Sequence, residues 1–480
     1  MREPASDTSD TTDSVGTTDA PGAAERAATV LTDPDAYTAS LIELVTASPS
    51  SYHAAAAVAA RLDAVGFTAV DETEPWGEDL PRRGYVLRDG ALAAWMLPDE
   101  PAPATAFRVV GTHTDSPALK LKPAAALTRE GYQLINAEVY GGPLLNSFLD
   151  RDLGLAGRLV TRDGTVHLVR TGAVARVAQL APHLDRSVND GLRLDRQAHL
   201  MPLWSLSGRA AGAEDAATRG QADAVEQYLC EIAGIEPAEL ASHDVLTYPT
   251  EAPGRIGRHG EMLASSRLDN LSSVQAGLVA LEALAAGAGV GAHGGCRWRA
   301  AAAQDAVVLI ANDHEEVGSE TRSGAAGPFL ETVLRRLARR MGLEGEDFEA
   351  VLARSVCVSA DAGHGVHPCY RDMHDPAVRP VLGAGPLLKI NANQRYASDA
   401  VGAGVWERAC LAAGVPHQDF VSSNAVPCGS TIGPITATRL GMTTVDVGQP
   451  LLSMHSQREL CAVVDGPWLA QALAAFWAGL

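Results

Sequence analysis

The chain has 480 residues, more than one compact core sustains, because single cores stop growing at about 250–300 residues. Two domains, or one carrying a large insertion, are expected. Apolar residues make up 46% of the chain, enough to exclude wholesale disorder, and 38 Lys plus Arg against 58 Asp plus Glu leave a formal net charge of −20. A field of that sign repels phosphate, so neither nucleic acid nor an anionic membrane is an expected partner.

Residues 1–35 are rich in Ser, Thr and Asp and have no apolar run, which fits a disordered acidic tail and neither a signal peptide nor an anchor. Eight acidic residues and two arginines in residues 1–36 put −6 of the charge there. From Asp35, the spacing of Tyr37, Leu41, Leu44 and Val45 predicts a helix, and a second is expected from Tyr52 to about Val65, closed by Gly66. Tyr85–Leu87 and Leu92–Leu97 around Asp89-Gly90 predict a hairpin, and Phe107–Val110 a buried strand. Short strands and turns follow to about Leu200, among them Thr165–Thr171, and then a polar, Ala-rich stretch from Ser207 to about Ala222. Helical periodicity returns at Ala224–Ile232 and Ser272–Ala285. The apolar run Val274–Ala292 is interrupted by Gln275 and Glu282 and rich in small residues, so it reads as a buried or amphipathic helix and no membrane span.

Residues 291–304 resemble a surface loop extension. Strands Ala306–Ile310 and Ser355–Ala360 flank a helix at Phe329–Arg340, and a strand at Thr443–Val447 precedes a closing helix from Pro467. This alternation predicts an α/β fold, a mixed and largely parallel sheet sandwiched by helices, with an inserted β-rich domain. Seven cysteines without a CxxC pair fit a reducing compartment, the cytoplasm.

Five clusters place potential metal ligands at the end of an apolar segment or the start of a helix. His113 and Asp115 follow the Phe107 strand at i and i+2, and Asp269 precedes the helix at Ser272. Asp313-His314-Glu315-Glu316 follows the Ala306 strand, where α/β folds place their ligands. Asp361 and His364 end the Ser355 strand, and His455 follows Pro450-Leu451-Leu452. Taken singly, an HxD pair, an N-cap Asp or a lone His is more often structural than catalytic. Together, two His, two Asp and a Glu suit a pair of divalent first-row ions bridged by one carboxylate, with an adjacent Glu left free as a base.

The chain also resembles the M18 metallopeptidases, the aspartyl aminopeptidase family, from about Asp35 onward. The shared words are Ser48-Pro49-Ser50-Ser51-Tyr52-His53-Ala54, Gly111-Thr112-His113-Thr114-Asp115-Ser116-Pro117, Leu149-Asp150-Arg151-Asp152-Leu153 and Arg267-Leu268-Asp269-Asn270-Leu271. Others are Asp313 to Ser319, Ser359-Ala360-Asp361, Val366-His367-Pro368, Asn393 to Ala397, Pro427 to Pro434, and Met454-His455-Ser456 with Arg458-Glu459. The resemblance implies a di-metal aminopeptidase with catalytic segments 36–122 and 258–480 and a β-rich dimerisation insertion, 123–257.

By the same resemblance His113 and Asp361 hold one ion, Glu316 and His455 the other, and Asp269 bridges them. Glu315 is the general base and Asp115 orients His113. His183 reaches a neighbouring subunit's active site, where it binds substrate and stabilises the oxyanion, and Lys389 binds an acidic substrate side chain. The implied cofactors are two divalent ions per subunit, zinc, with manganese or cobalt as alternatives at one site. The implied partners are peptides with a free N-terminus, Asp or Glu foremost, and copies of the chain in a tetrahedral dodecamer built from dimers. Gly363, Gly365 and Cys369 depart from the family's usual residues, which bears on the breadth of the substrate pocket. A carboxypeptidase or N-deacylase shares the hydrolytic chemistry and is separated by peptides with blocked N-termini. A cage-forming binding protein without turnover is disfavoured by the intact Glu315 and ligand set.

Overall fold

Strands buried along nearly their whole length lie between two covering layers, as in a parallel sheet flanked by helices, and Phe107–His113 and Ala306–Asn312 are of this kind. In the computed structural model, which describes residues 22–206, 225–288 and 304–479, these two pair in parallel, with Ile310 opposite Gly111 and Asn312 opposite His113. They lie inside a nine-stranded mixed sheet. Its strand order is Thr68–Ala69, Arg83–Arg88, Ala91–Met96, Ala306–Asn312, Phe107–His113, Val356–Ala360, Thr443–Gly448, Leu387–Ile390 and Gln418–Val421. The four strands from Ala306–Asn312 to Thr443–Gly448 are mutually parallel, so their carboxyl ends open on one edge.

Side chains alternate between the two faces with the strand period of two. Val110, Leu309, Val358 and Val445 enter one core, with the helices Pro34–Ala47, Ser51–Ala64, Leu268–Ala285, Ala400–Ala413 and Asp465–Trp477. Val109, Val308, Ile310 and Cys357 enter the other, against Phe329–Arg340 and Glu346–Arg354. Helix Phe329–Arg340 covers that face with Phe329, Leu330, Val333, Leu334 and Leu337 and leaves its arginines outward, as its periodicity implies. Helices Ala400–Ala413 and Ile432–Leu440 and strand Leu387–Ile390 were not foreseen. The first is dense in Ala and Gly and buries its stripe through small residues, which gives a faint periodic signal.

A second sheet of seven strands, drawn from Ala118 to Pro249, is antiparallel throughout. Its strand Leu240–Pro249 pairs with both Ala118–Arg129 and Asp152–Thr161, which closes six of the strands into a barrel-like ring. Its own core holds Leu119, Ile135, Phe148, Leu155, Leu159 and Val245. The expected boundary at residue 123 falls inside the strand Ala118–Arg129, which runs from the His113–Asp115 loop into the ring with an irregularity in its pairing between Leu121 and Ala126.

The expectation of a disordered tail through residue 35 needs correction. Ala23–Thr32 is helical, with Leu31 fully buried and Ala27, Ala28 and Val30 packed on the first core. Charge and Ser/Thr content masked a short amphipathic stripe whose stability comes from packing on Leu268–Ala285 and Asp465–Trp477. Residues 1–21, the whole Ser207–Ala222 stretch and all but residue 304 of the 291–304 extension lie outside the described residues. Among those described, no helix is long and apolar enough to cross a membrane.

Candidate active site

The carboxyl edge of the parallel strands supplies most of the site. His113 is the last residue of its strand, Asp361 directly follows Val356–Ala360, and Glu315 and Glu316 sit in a short 3-10 turn after Ala306–Asn312. That turn is bounded by His314 at φ 62° and Gly318 at φ 99°, left-handed conformations that reverse the chain and return both glutamates to the edge. Asp269 opens helix Leu268–Ala285 with non-helical angles, and His455, at φ 65°, lies in the loop between Pro450–Leu451 and Glu459–Ala462. All five proposed ligands thus come together from distant parts of the chain, as three overlapping groups: His113, Asp269, Asp361; His113, Glu315, Glu316; and Asp269, Glu316, His455.

The histidine hydrogen-bond partners settle which ring nitrogen is free. His113 Nδ1 lies 3.1 Å from the Asp115 carbonyl and 3.4 Å from the Asp115 carboxylate, and His455 Nδ1 lies 3.0 Å from the Gly142 carbonyl. All are acceptors, so Nδ1 carries the hydrogen and Nε2 offers its lone pair. That lone pair of His113 faces Asp269 Oδ1 at 3.3 Å and Asp361 Oδ1 at 3.4 Å, and that of His455 faces Asp269 Oδ2 and Glu316 Oε2, both at 3.3 Å. Acceptors facing acceptors at this spacing repel unless a proton or a metal cation lies between them. Ligands bound tetrahedrally at about 2.0–2.1 Å stand about 3.3 Å from each other, so the donor set fits zinc at both positions. Asp269 Oδ1 and Glu316 Oε1 are buried without any hydrogen-bond partner, as ligand atoms awaiting a cation would be.

Asp269 is the shared element, since each of its oxygens faces a different imidazole. Asp115 organises the remainder. Its carboxylate accepts the Glu315 and Glu316 N–H groups at 3.0 and 3.1 Å and the Tyr140 hydroxyl at 2.8 Å while facing His113. One buried carboxylate therefore fixes a ligand histidine and the turn carrying both glutamates. The glutamates are not equivalent: the Glu316 side chain is 4% exposed and reaches His455, whereas that of Glu315 is 18% exposed and stops 4.0 Å from His113 Nε2. Glu315 is the more open of the two.

Glu459 carried no role in the sequence reading beyond its place in a shared word. It is buried, and it accepts the Asp269 N–H at 3.0 Å and the His455 N–H at 2.7 Å. Its position four residues after a candidate ligand was a signal, but nothing in the sequence showed which way it turns. Lys389 is 1% exposed; its Nζ donates to the Ala362 carbonyl at 2.6 Å and lies 3.7 Å from Asp361 Oδ2 and 5.4 Å from the Tyr396 ring centre. His183 is exposed in an irregular stretch beside the second sheet, and no hydrogen bond or ion pair joins it to the cluster within this chain.

So many buried charges displace each other's titration. Burial alone lowers His113, but Asp115, Asp269 and Asp361 hold it well above its ordinary value. His455, likewise opposed by burial, is pulled up to about 10 by Asp269 and Glu316. Burial raises Glu315 to about 8, with His113 opposing and Asp361 adding to the rise, and raises Glu316 well above the usual range. Burial pushes Asp269 upward, yet the two imidazoles keep it far below.

The family model described as aminopeptidase I zinc metalloprotease (M18) matches residues 44–477. The chain is 47% identical over 445 residues to a probable M18 family aminopeptidase 2 of Streptomyces avermitilis, covering 92% of this chain and 98% of the relative. A protein of the same description from Pseudomonas fluorescens is 41% identical, covering 91% of this chain and 97% of its own length. The fold is similar to that in the structure of the S. cerevisiae mApe1 dodecamer, with a TM-score of 0.76 and 26% identity over 92% of this chain and 97% of the other.

Protons held at the cluster in the metal-free chain must leave when a cation binds. Zinc loading is therefore expected to release protons, and because the raised groups refill as pH falls, affinity should drop steadily from about pH 9 to pH 6. Calorimetric titrations in buffers of different ionisation heat measure this. A pH-independent affinity without proton release would mean that the imidazoles and glutamates are not the ligands.

Proposed function

Because the chain belongs to the M18 family of metallo-aminopeptidases, we propose that it removes the N-terminal residue, Asp or Glu foremost, from peptides with a free N-terminus. The observation that carries this reading is the Asp269 carboxylate, whose two oxygens each stand 3.3 Å from a different imidazole, with Glu315 beside them. His113 and Asp361 would hold one zinc ion, Glu316 and His455 the other, and Asp269 both; manganese or cobalt also suits the donors of one position. When bound, the ions lower the pKa of a water and polarise the scissile carbonyl.

The chain's own groups do the rest. Glu315, at the open side of the cluster, accepts the proton of the attacking water and returns it to the leaving amine. Asp115 holds the turn that aims Glu315. Lys389 is a buried ammonium beside Asp361, and a substrate carboxylate reaching it would gain a charge-assisted hydrogen bond. Glycine at 363 leaves that ammonium room, since a Cβ there would stand 3.2 Å from Lys389 Cε and 2.5 Å from Leu387 Cδ1. His183, exposed and remote within one chain, would serve a neighbouring subunit's site across dimer contacts of the β-rich unit. Six such dimers would assemble as a dodecamer, the assembly named for the S. cerevisiae protein. The six described cysteines are all free, which supports a cytoplasmic setting.

Peptides differing only in a free or blocked N-terminus test the activity, since a carboxypeptidase or deacylase would not lose the blocked ones. Glu315→Gln should retain its metal but lose about 10²–10⁴ in kcat, as an amide cannot take the proton; near-normal turnover would remove Glu315 from the chemistry. Lys389→Met should lower kcat/KM for Asp and Glu N-termini far more than for Leu or Ala. Equal losses on all substrates would instead tie Lys389 to Asp361 as a structural partner. Mixing inactive Glu315→Gln chains with inactive His183→Ala chains should restore part of the activity, because one site of a mixed dimer is then whole. No recovery after verified subunit exchange would confine His183 to its own chain.

A further inference from the structure

Two buried carboxylates flank the metal cluster without facing a cation themselves, and they divide its scaffold. Asp115 holds the His113 ring and the Glu315–Glu316 turn. Glu459 holds the backbones of Asp269 and His455, one N–H on each oxygen. The His455 side is the less supported of the two. His113 ends a strand hydrogen-bonded on both sides, whereas His455 sits in a loop at φ 65°, a conformation rare for residues with a side chain. Its remaining anchors come from the β-rich unit: the Leu144 N–H donates to its carbonyl at 2.9 Å, and its Nδ1–H donates to the Gly142 carbonyl at 3.0 Å. Asp269 has independent support in its helix and in the Ser116 hydroxyl, which donates to its carbonyl at 2.7 Å.

We propose that Glu459 is the positioning residue of the second ion: by accepting the N–H groups of Asp269 and His455 on its two oxygens, it preforms the pocket made with Glu316. Its place favours that task, because Glu459 begins a strand paired with Met262–Ser265, the strand that leads into Asp269. A carboxylate is required by the geometry. Glutamine offers one acceptor oxygen and turns its amide hydrogens toward the other N–H donor, leaving one ligand backbone unheld. Aspartate keeps the charge but falls one methylene short of spanning both groups.

The inference rests on the two-ion reading above, so zinc binding to the unmodified protein comes first, by equilibrium dialysis with elemental analysis across free zinc concentrations. Fewer than two ions per chain there would defeat the two-ion reading itself. With two ions established, Glu459→Gln should weaken one of them by about 10–100-fold and leave the other at its original affinity. Glu459→Asp should not restore it, although it would if charge alone mattered. Two ions at unmodified affinity in either folded variant would overturn the proposal. So would equal weakening of both ions alongside a lowered melting temperature of the metal-free chain, which is the signature of a general structural role. Failure of both variants to fold would assign Glu459 to the fold and likewise overturn it.

Discussion

The dominant constraint in this molecule is uncompensated negative charge held out of water. Asp115, Asp269, Asp361, Glu315 and Glu316 converge on two imidazoles whose Nδ1 hydrogens are already committed, with Glu459 buried behind them. Hydrogen bonds alone do not stabilise such a cluster, since desolvating several carboxylates costs several kcal/mol each. Protons or cations must supply the balance. The metal-free chain meets the need by raising the pKa of Glu315, Glu316 and both histidines, and divalent ions held as proposed would meet it by replacing those protons. Catalytic competence and local stability are thus two consequences of the same charge arrangement.

That arrangement needs rigid supports, and the parallel sheet provides them. Four adjacent strands end together, so His113, the Glu315–Glu316 turn and Asp361 are delivered within a few ångströms by backbone hydrogen bonding. The remaining two ligands enter from outside the sheet, Asp269 at a helix start and His455 from a loop. Where regular structure does not fix a ligand, a buried carboxylate receives its backbone N–H instead. The same device recurs away from the metal cluster. Asp446, buried on the strand Thr443–Gly448, accepts the Thr431 hydroxyl and the Ala397 N–H, both at 2.6 Å, and ties together the loops around Tyr396 and Cys428. Gly433 is needed there because a Cβ would stand 2.3 Å from both Asp446 oxygens.

The β-rich unit does more than extend the chain. Its first strand begins at Ala118, directly after the His113–Asp115 loop, and its Gly142 carbonyl sets the tautomer of His455. The ring formed by Leu240–Pro249 with Ala118–Arg129 and Asp152–Thr161 gives that carbonyl a fixed position. The β-rich unit therefore supports the candidate ligand His455 of its own chain, through Gly142 and Leu144.

Much of this was determined by the sequence itself. Apolar runs ending in Gly-Thr-His and Asn-Asp-His, the helical stripe of Phe329–Arg340 and the Asp89-Gly90 turn are local signals, because strand burial, helix period and turn chemistry depend on near neighbours. The candidate ligand types were legible only as a set: each alone is more often structural, but two His, two Asp and a Glu at such positions in one chain suit a pair of cations. What the sequence left open was decided by tertiary contacts. The small-residue helix Ala400–Ala413 and the acidic-looking Ala23–Thr32 acquire stability only from the surfaces they cover. The roles of Tyr140 and Glu459 depend on which backbone N–H or carboxylate faces them from residues 25 to 190 positions away, and only folding sets that distance. Sequence supplied the donors; three-dimensional packing determined which oxygen meets which proton.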